Sequence, residues 1–81
     1  MKIYDFNGKK NICGTKVKEA RKRLKLSQEQ LAAKLQLENV ILERDCVSRI
    51  ESGARFVADY ELLVLSKILK VSPAYLLGLE D

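Results

Sequence analysis

Apolar residues recur every three or four positions through most of the chain, the period of helices that bury one face. Val17, Ala20, Arg21 and Leu24 mark a first helix, expected over residues 15–25, with Thr15 as its N-cap after Gly14. Ser27-Gln28-Glu29-Gln30 has the form of a capping box. It opens a second helix whose inner face is Leu31, Ala32 and Leu35. That helix is expected to stop near Leu35, because the period is lost over residues 36–42. Val40-Ile41-Leu42 reads as an extended, partly buried loop. A third helix is expected over 44–52, ended by Gly53 in the left-handed conformation. A fourth is expected over 59–70, with Leu62, Leu65, Ser66 and Leu69 on one stripe. Ser72-Pro73 pairs a capping serine with proline at the first helical position and opens a fifth helix carrying Tyr75, Leu76 and Leu77. The expected fold is all-α, a compact bundle of about five helices.

The first 13 residues break this pattern. Asn7-Gly8 lies between Ile3-Tyr4-Asp5-Phe6 and Lys9-Lys10-Asn11-Ile12, a faint hairpin outline. The alternative is a mobile or disordered arm. The expected organisation is therefore a short N-terminal arm over 1–13 and one helical domain over 14–81, with no internal repeat and no linker.

Composition narrows the function more by exclusion than by signature. No apolar run approaches the ~18 residues of a membrane span. The basic start of the chain lacks the apolar core of a signal peptide, so a cytoplasmic protein is expected. There is no histidine, and the two cysteines, Cys13 and Cys46, are far apart. A zinc site and histidine acid–base chemistry are thereby removed. The cysteines read as small apolar fillers, a cytosolic disulfide being unusual. No enzyme, metal, cofactor or small-molecule ligand is expected. Charge is lopsided: Lys9, Lys10, Lys16, Lys18, Arg21, Lys22, Arg23 and Lys25 face the single acid Glu19. Such a basic pole attracts an anionic polymer or surface.

The third helix carries the candidate chemistry. At about 100° per residue, Cys46, Val47 and Ile50 cluster on one side, while Arg44, Asp45, Ser48, Arg49 and Ser52 spread over the other. The first side can anchor the helix. The second carries groups that hydrogen-bond with base edges in a major groove, although any solvated helix face is polar too. Gln28 lies in the first turn of the second helix, where free N–H groups and the positive dipole end favour a phosphate.

Residues 17–77 resemble the phage-repressor-like helix-turn-helix family of the Cro/C1 type. The resemblance rests on Val17-Lys18-Glu19-Ala20-Arg21, Leu26-Ser27-Gln28-Glu29-Gln30-Leu31-Ala32, Val47-Ser48-Arg49-Ile50-Glu51-Ser52-Gly53 and the segment 62–77. It implies a lambda-repressor-like five-helix bundle whose second and third helices read DNA, commonly as a dimer on an operator. It implies backbone or outer-base contact for Gln28 and base reading by Arg44, Asp45, Ser48 and Arg49. Ser52 and Arg55 would meet the DNA backbone. Arg21 and Glu51 would form a structural ion pair, and Ala32 would let helices two and three approach. Two features depart from the family pattern. The turn over 36–43 is about five residues longer than usual, and Glu43 and Asp45 put two carboxylates at the start of the reading helix.

The expected function is sequence-specific binding of a double-stranded DNA operator by a homodimeric transcription regulator, a repressor by analogy. The competing expectation is a protein-interaction module on the same fold, such as an antitoxin or anti-repressor partner, favoured by the acids on helix three and the apolar fifth helix.

Overall fold

The computed structural model describes residues 6–80. Five helices follow one another: α1 (Gly14–Arg23), α2 (Gln28–Leu37), α3 (Arg44–Ser52), α4 (Asp59–Leu69) and α5 (Pro73–Leu76). Each contributes its inner face to one core. Val17 and Ala20 come from α1, Leu31 and Leu35 from α2, Val47 and Ile50 from α3, Leu65 and Leu69 from α4, and Leu76 from α5. Burying these side chains is what offsets the conformational entropy of so short a chain.

Local chemistry sets the helix ends. Ser27 accepts from the Gln30 N–H at 3.0 Å, and the Gln30 side chain accepts from the Ser27 N–H at 2.8 Å, closing the capping box of α2. Ser72 caps α5 by accepting from the Tyr75 N–H at 3.0 Å, with Pro73 directly behind. Glu61 reaches back to the Ala58 N–H at the start of α4, 2.9 Å away. Gly53 ends α3 at φ 84°, a conformation costly for any residue with a Cβ.

Two expected boundaries differ. α2 runs two residues past Leu35, to Leu37, and closes on Asn39 in the left-handed conformation at φ 64°. Its last leucine points into solvent at 82% exposure, so the apolar period falls silent while the helix continues. The inserted loop that follows is anchored rather than loose. Val40 and Leu42 are each 6% exposed, and Ile41 between them faces outward.

α1 begins at Gly14, and Thr15 is not its cap. Asn11 supplies the acceptor instead, its Oδ1 lying 2.8 Å from the Gly14 N–H. Residues 6–13, ahead of α1, are correspondingly docked on the helical domain. Phe6 and Lys9 pair across the Asn7-Gly8 turn, and the Lys10 N–H donates to the Gly53 carbonyl at 2.8 Å. Cys13 is buried, and burial pushes its thiol pKa up, as suits an apolar filler. The expectation for residues 1–5 lies outside the described residues.

Candidate nucleic-acid interface

α3 is amphipathic. Val47, Ile50 and Glu51 are buried, whereas Arg44, Asp45, Arg49 and Ser52 are exposed and Ser48 is half-buried. At 100° per residue the five polar positions fill an arc of about 140°. Arg44 and Asp45 touch across the start of the helix at 3.4 Å, both largely in solvent, an arrangement of little energetic worth. Arg49 enters no ion pair among the described residues, so Asp45 does not hold it. The outer face therefore presents an uncommitted guanidinium more than one turn beyond Arg44.

A buried network holds this helix from below. Arg21 donates from Nε to Glu51 Oε2 at 2.6 Å and from Nη2 to Glu51 Oε1 at 3.0 Å. Its Nη1 reaches the Leu26 carbonyl at 2.7 Å. One side chain of α1 thus grips α3 and the α1–α2 turn together. Such fork-to-fork geometry fixes orientation as well as energy.

Gln28, in the first turn of α2, is partly committed to the fold. It is half-buried, and its Nε2 donates to Glu51 Oε1 at 3.0 Å. The carboxylate is the strongest acceptor within reach, so it turns the amide inward. Arg55 is similarly engaged. Its Nη1 donates to Glu61 Oε1 at 2.9 Å and to the Phe56 carbonyl at 2.7 Å, and its Nη2 to Glu61 Oε2 at 3.2 Å. Burial alone would raise the Glu61 carboxyl pKa, but Arg55 and the Ala58 N–H outweigh it and hold the carboxyl below its ordinary value. Arg55 is thus a tie between the α3–α4 loop and α4. Ser52 donates to the Arg49 carbonyl at 3.2 Å while staying exposed.

The basic pole is divided between structure and surface. The Lys16 ammonium lies 4.9 Å and the Arg23 guanidinium 5.6 Å from the centre of the Tyr75 ring, and Arg23 also donates to the Tyr75 hydroxyl at 3.1 Å. These two dock α5 onto α1. Lys18, Lys22 and Lys25 are exposed, on one stripe that continues beyond α1. Of the C-terminal apolar residues, Tyr75 and Leu76 belong to the core, leaving Leu77 and Leu79 at the surface.

Sequence reasoning missed Glu61 and Asn11. Glu61 could have been found as the acid three residues after the Ala58 N-cap, and Asn11 as a capping residue three before Gly14. Among the described residues no three acidic or cysteine side chains converge as a metal site would require, and no helix is long and apolar enough to cross a membrane.

No protein-family model matches the chain, and no curated protein matches it. Two solved structures are similar. One is the P22 c2 repressor in complex with a synthetic operator, with a TM-score of 0.73 and 28% identity, covering 86% of this chain and 98% of that one. The other is the restriction-modification controller protein C.AhdI from Aeromonas hydrophila, with a TM-score of 0.68 and 33% identity, covering 79% of this chain and 86% of that one.

Proposed function

Because the chain belongs to the Cro/C1-type, phage-repressor-like helix-turn-helix family, we propose that it regulates transcription by binding a double-stranded DNA operator, as a repressor, through the outer face of α3. The observation that carries this reading is the exposed arc of Arg44, Asp45, Ser48, Arg49 and Ser52 on a helix clamped by Arg21 and Glu51. The P22 c2 repressor, solved on an operator, shares the fold and supports it.

Each residue then has a role set by its chemistry. Arg49, and Arg44 once it leaves Asp45, can pair bidentately with guanine O6 and N7, worth roughly 1–3 kcal/mol of discrimination. Asp45 can accept from a cytosine amino group, the one base-edge role open to a carboxylate among repelling phosphates. Lys18, Lys22 and Lys25 meet phosphates, as does Ser52, and these contacts position the protein without reading sequence. Gln28 acts through its amide hydrogen not taken by Glu51, and Arg55 by holding the loop that follows α3. No catalysis and no cofactor enter this function, and the protein acts in the cytoplasm. The reading unit spans 14–81.

One short helix reads only a few base pairs, so useful specificity needs two half-sites about 34–36 Å apart and a homodimer. Leu77 and Leu79 are the surface for an isologous contact, in which the same patch meets itself.

Selection of bound sequences from a random DNA pool, followed by titration across salt, tests the proposal. A palindromic motif is expected, with affinity falling steeply as salt rises. Failure to enrich any motif, with negligible binding to bulk DNA at low salt, would favour the interaction-module reading. The acids Glu43 and Asp45 and the exposed Leu37 and Ile41 beside them would then form a protein-binding face.

A further inference from the structure

Helix ends leave carbonyls without intrahelical partners. At the end of α3 those carbonyls are taken up by the segment that precedes α1. The Lys9 ammonium donates to the Ser52 carbonyl at 3.1 Å, and the Lys10 N–H to the Gly53 carbonyl at 2.8 Å. The Asn11 amide donates both hydrogens, to the Ile50 carbonyl at 3.0 Å and to the Arg55 carbonyl at 2.8 Å. Its own oxygen accepts from the Gly14 N–H. A single half-buried side chain therefore ties three pieces together: the start of α1, the last turn of α3 and the loop running to α4. Lys9 adds a positive charge where the dipole of α3 is negative.

We propose that Asn11 is a positioning residue for α3, with Lys9 as its exposed partner, so that residues 9–11 set the angle at which α3 meets DNA. The inference rests on the assignment of α3 as the reading helix. Arg21 holds the last turn of α3 through Glu51 on its buried side, and Asn11 and Lys9 hold the same turn through its carbonyls. Grips on one turn from two directions restrict the tilt of the helix more than either does alone.

Asn11→Asp separates capping from tethering. The carboxylate still accepts from the Gly14 N–H, and more strongly, at the positive end of α1. It loses both donors and faces two carbonyl oxygens instead. Lys9→Met removes the Ser52 contact from a residue exposed enough that folding is not at stake.

The experiment measures both variants and the parent under conditions where thermal melts show each fully folded. Binding is measured to the selected operator and to its single-base mutants across salt. Backbone residual dipolar couplings give the orientation of α3 relative to α4. For Asn11→Asp the preference for the operator over its mutants should fall by about tenfold, the scale of one base contact. The salt slope should stay at the parent value, since phosphate contacts are untouched, and the α3 couplings should no longer fit the parent orientation. Lys9→Met should move both readouts in the same direction by less. Parent-like discrimination and parent-like couplings in the two variants would overturn the proposal. So would a salt slope lower by about one in Lys9→Met with all sequences weakened equally, which would make Lys9 a phosphate contact. If Asn11→Asp does not fold, Lys9→Met decides. If the parent selects no DNA sequence, the operator reading fails by itself, and the couplings alone decide whether residues 9–11 orient α3.

Discussion

Glu51→Gln should lower the denaturant midpoint of unfolding by about 1 M urea or more. The carboxylate accepts two bonds from Arg21 and one from Gln28, and its side chain is 4% exposed. The glutamine amide keeps one acceptor and turns donors toward a guanidinium that is itself nearly buried. Removing one partner of a buried pair costs on the order of 3 kcal/mol, because the other charge stays behind without compensation. With a urea slope of about 1–3 kcal/mol per molar for a small protein, that is a shift well outside measurement error. The pair's net worth against an apolar pair of the same shape is much smaller, so its role is orientation. An unchanged midpoint would mean that the pair does not carry the docking of α1 on α3.

Gly14→Ala should lower the melting temperature, reversing the usual sign. Within helices alanine is favoured over glycine by about 1 kcal/mol. Here a Cβ would run into the Ile50 carbonyl, and it would crowd the Glu51 carbonyl at 3.0 Å and Asn11 Oδ1 at 3.1 Å. The obstacle is backbone in the last turn of α3, and the Ile50 oxygen already accepts from Asn11 and from the Gly53 N–H. It cannot swing away without breaking those bonds. Overpacking of this kind costs about 1–3 kcal/mol, and each kcal/mol shifts the melting point of so small a domain by about 4–8 °C. A melting temperature equal to or above the parent's would show that α1 and α3 are not in close contact there.

The contrast between these helices shows what sequence can and cannot convey. α3 was legible end to end, because an apolar stripe of Val47 and Ile50 runs into a glycine that must adopt a left-handed conformation. The starts of α2 and α5 were legible because Ser27 and Ser72 cap locally, using partners three residues away. The end of α2 was not, since Leu37 is apolar yet exposed, and periodicity reports burial rather than helicity. The docking of residues 9–13 left no apolar pattern to read. It depends on Lys9 and Asn11 meeting carbonyls about forty positions along the chain, which only the tertiary fold brings near. At the site, sequence placed Arg44, Asp45, Ser48, Arg49 and Ser52 on one face of α3, but it could not tell which side-chain donors were spoken for. Gln28 and Arg55 carry the same donors whether they meet solvent, a phosphate or a carboxylate. Glu51 and Glu61 claim them because folding brings those acids within 3.0 Å.

Whether α3 reads sequence is tested most directly by comparing Arg49→Ala with Lys22→Ala on the selected operator and its single-base mutants. Both residues are exposed, so neither change should disturb the fold. Arg49→Ala should weaken operator binding and flatten the preference at one or two positions, by roughly the 1–3 kcal/mol of a bidentate guanine contact. Lys22→Ala should weaken all sequences about equally and lower the salt slope by about one. An Arg49→Ala protein that weakens every sequence alike, with its base preferences intact, would contradict the assignment of α3 as the reading element.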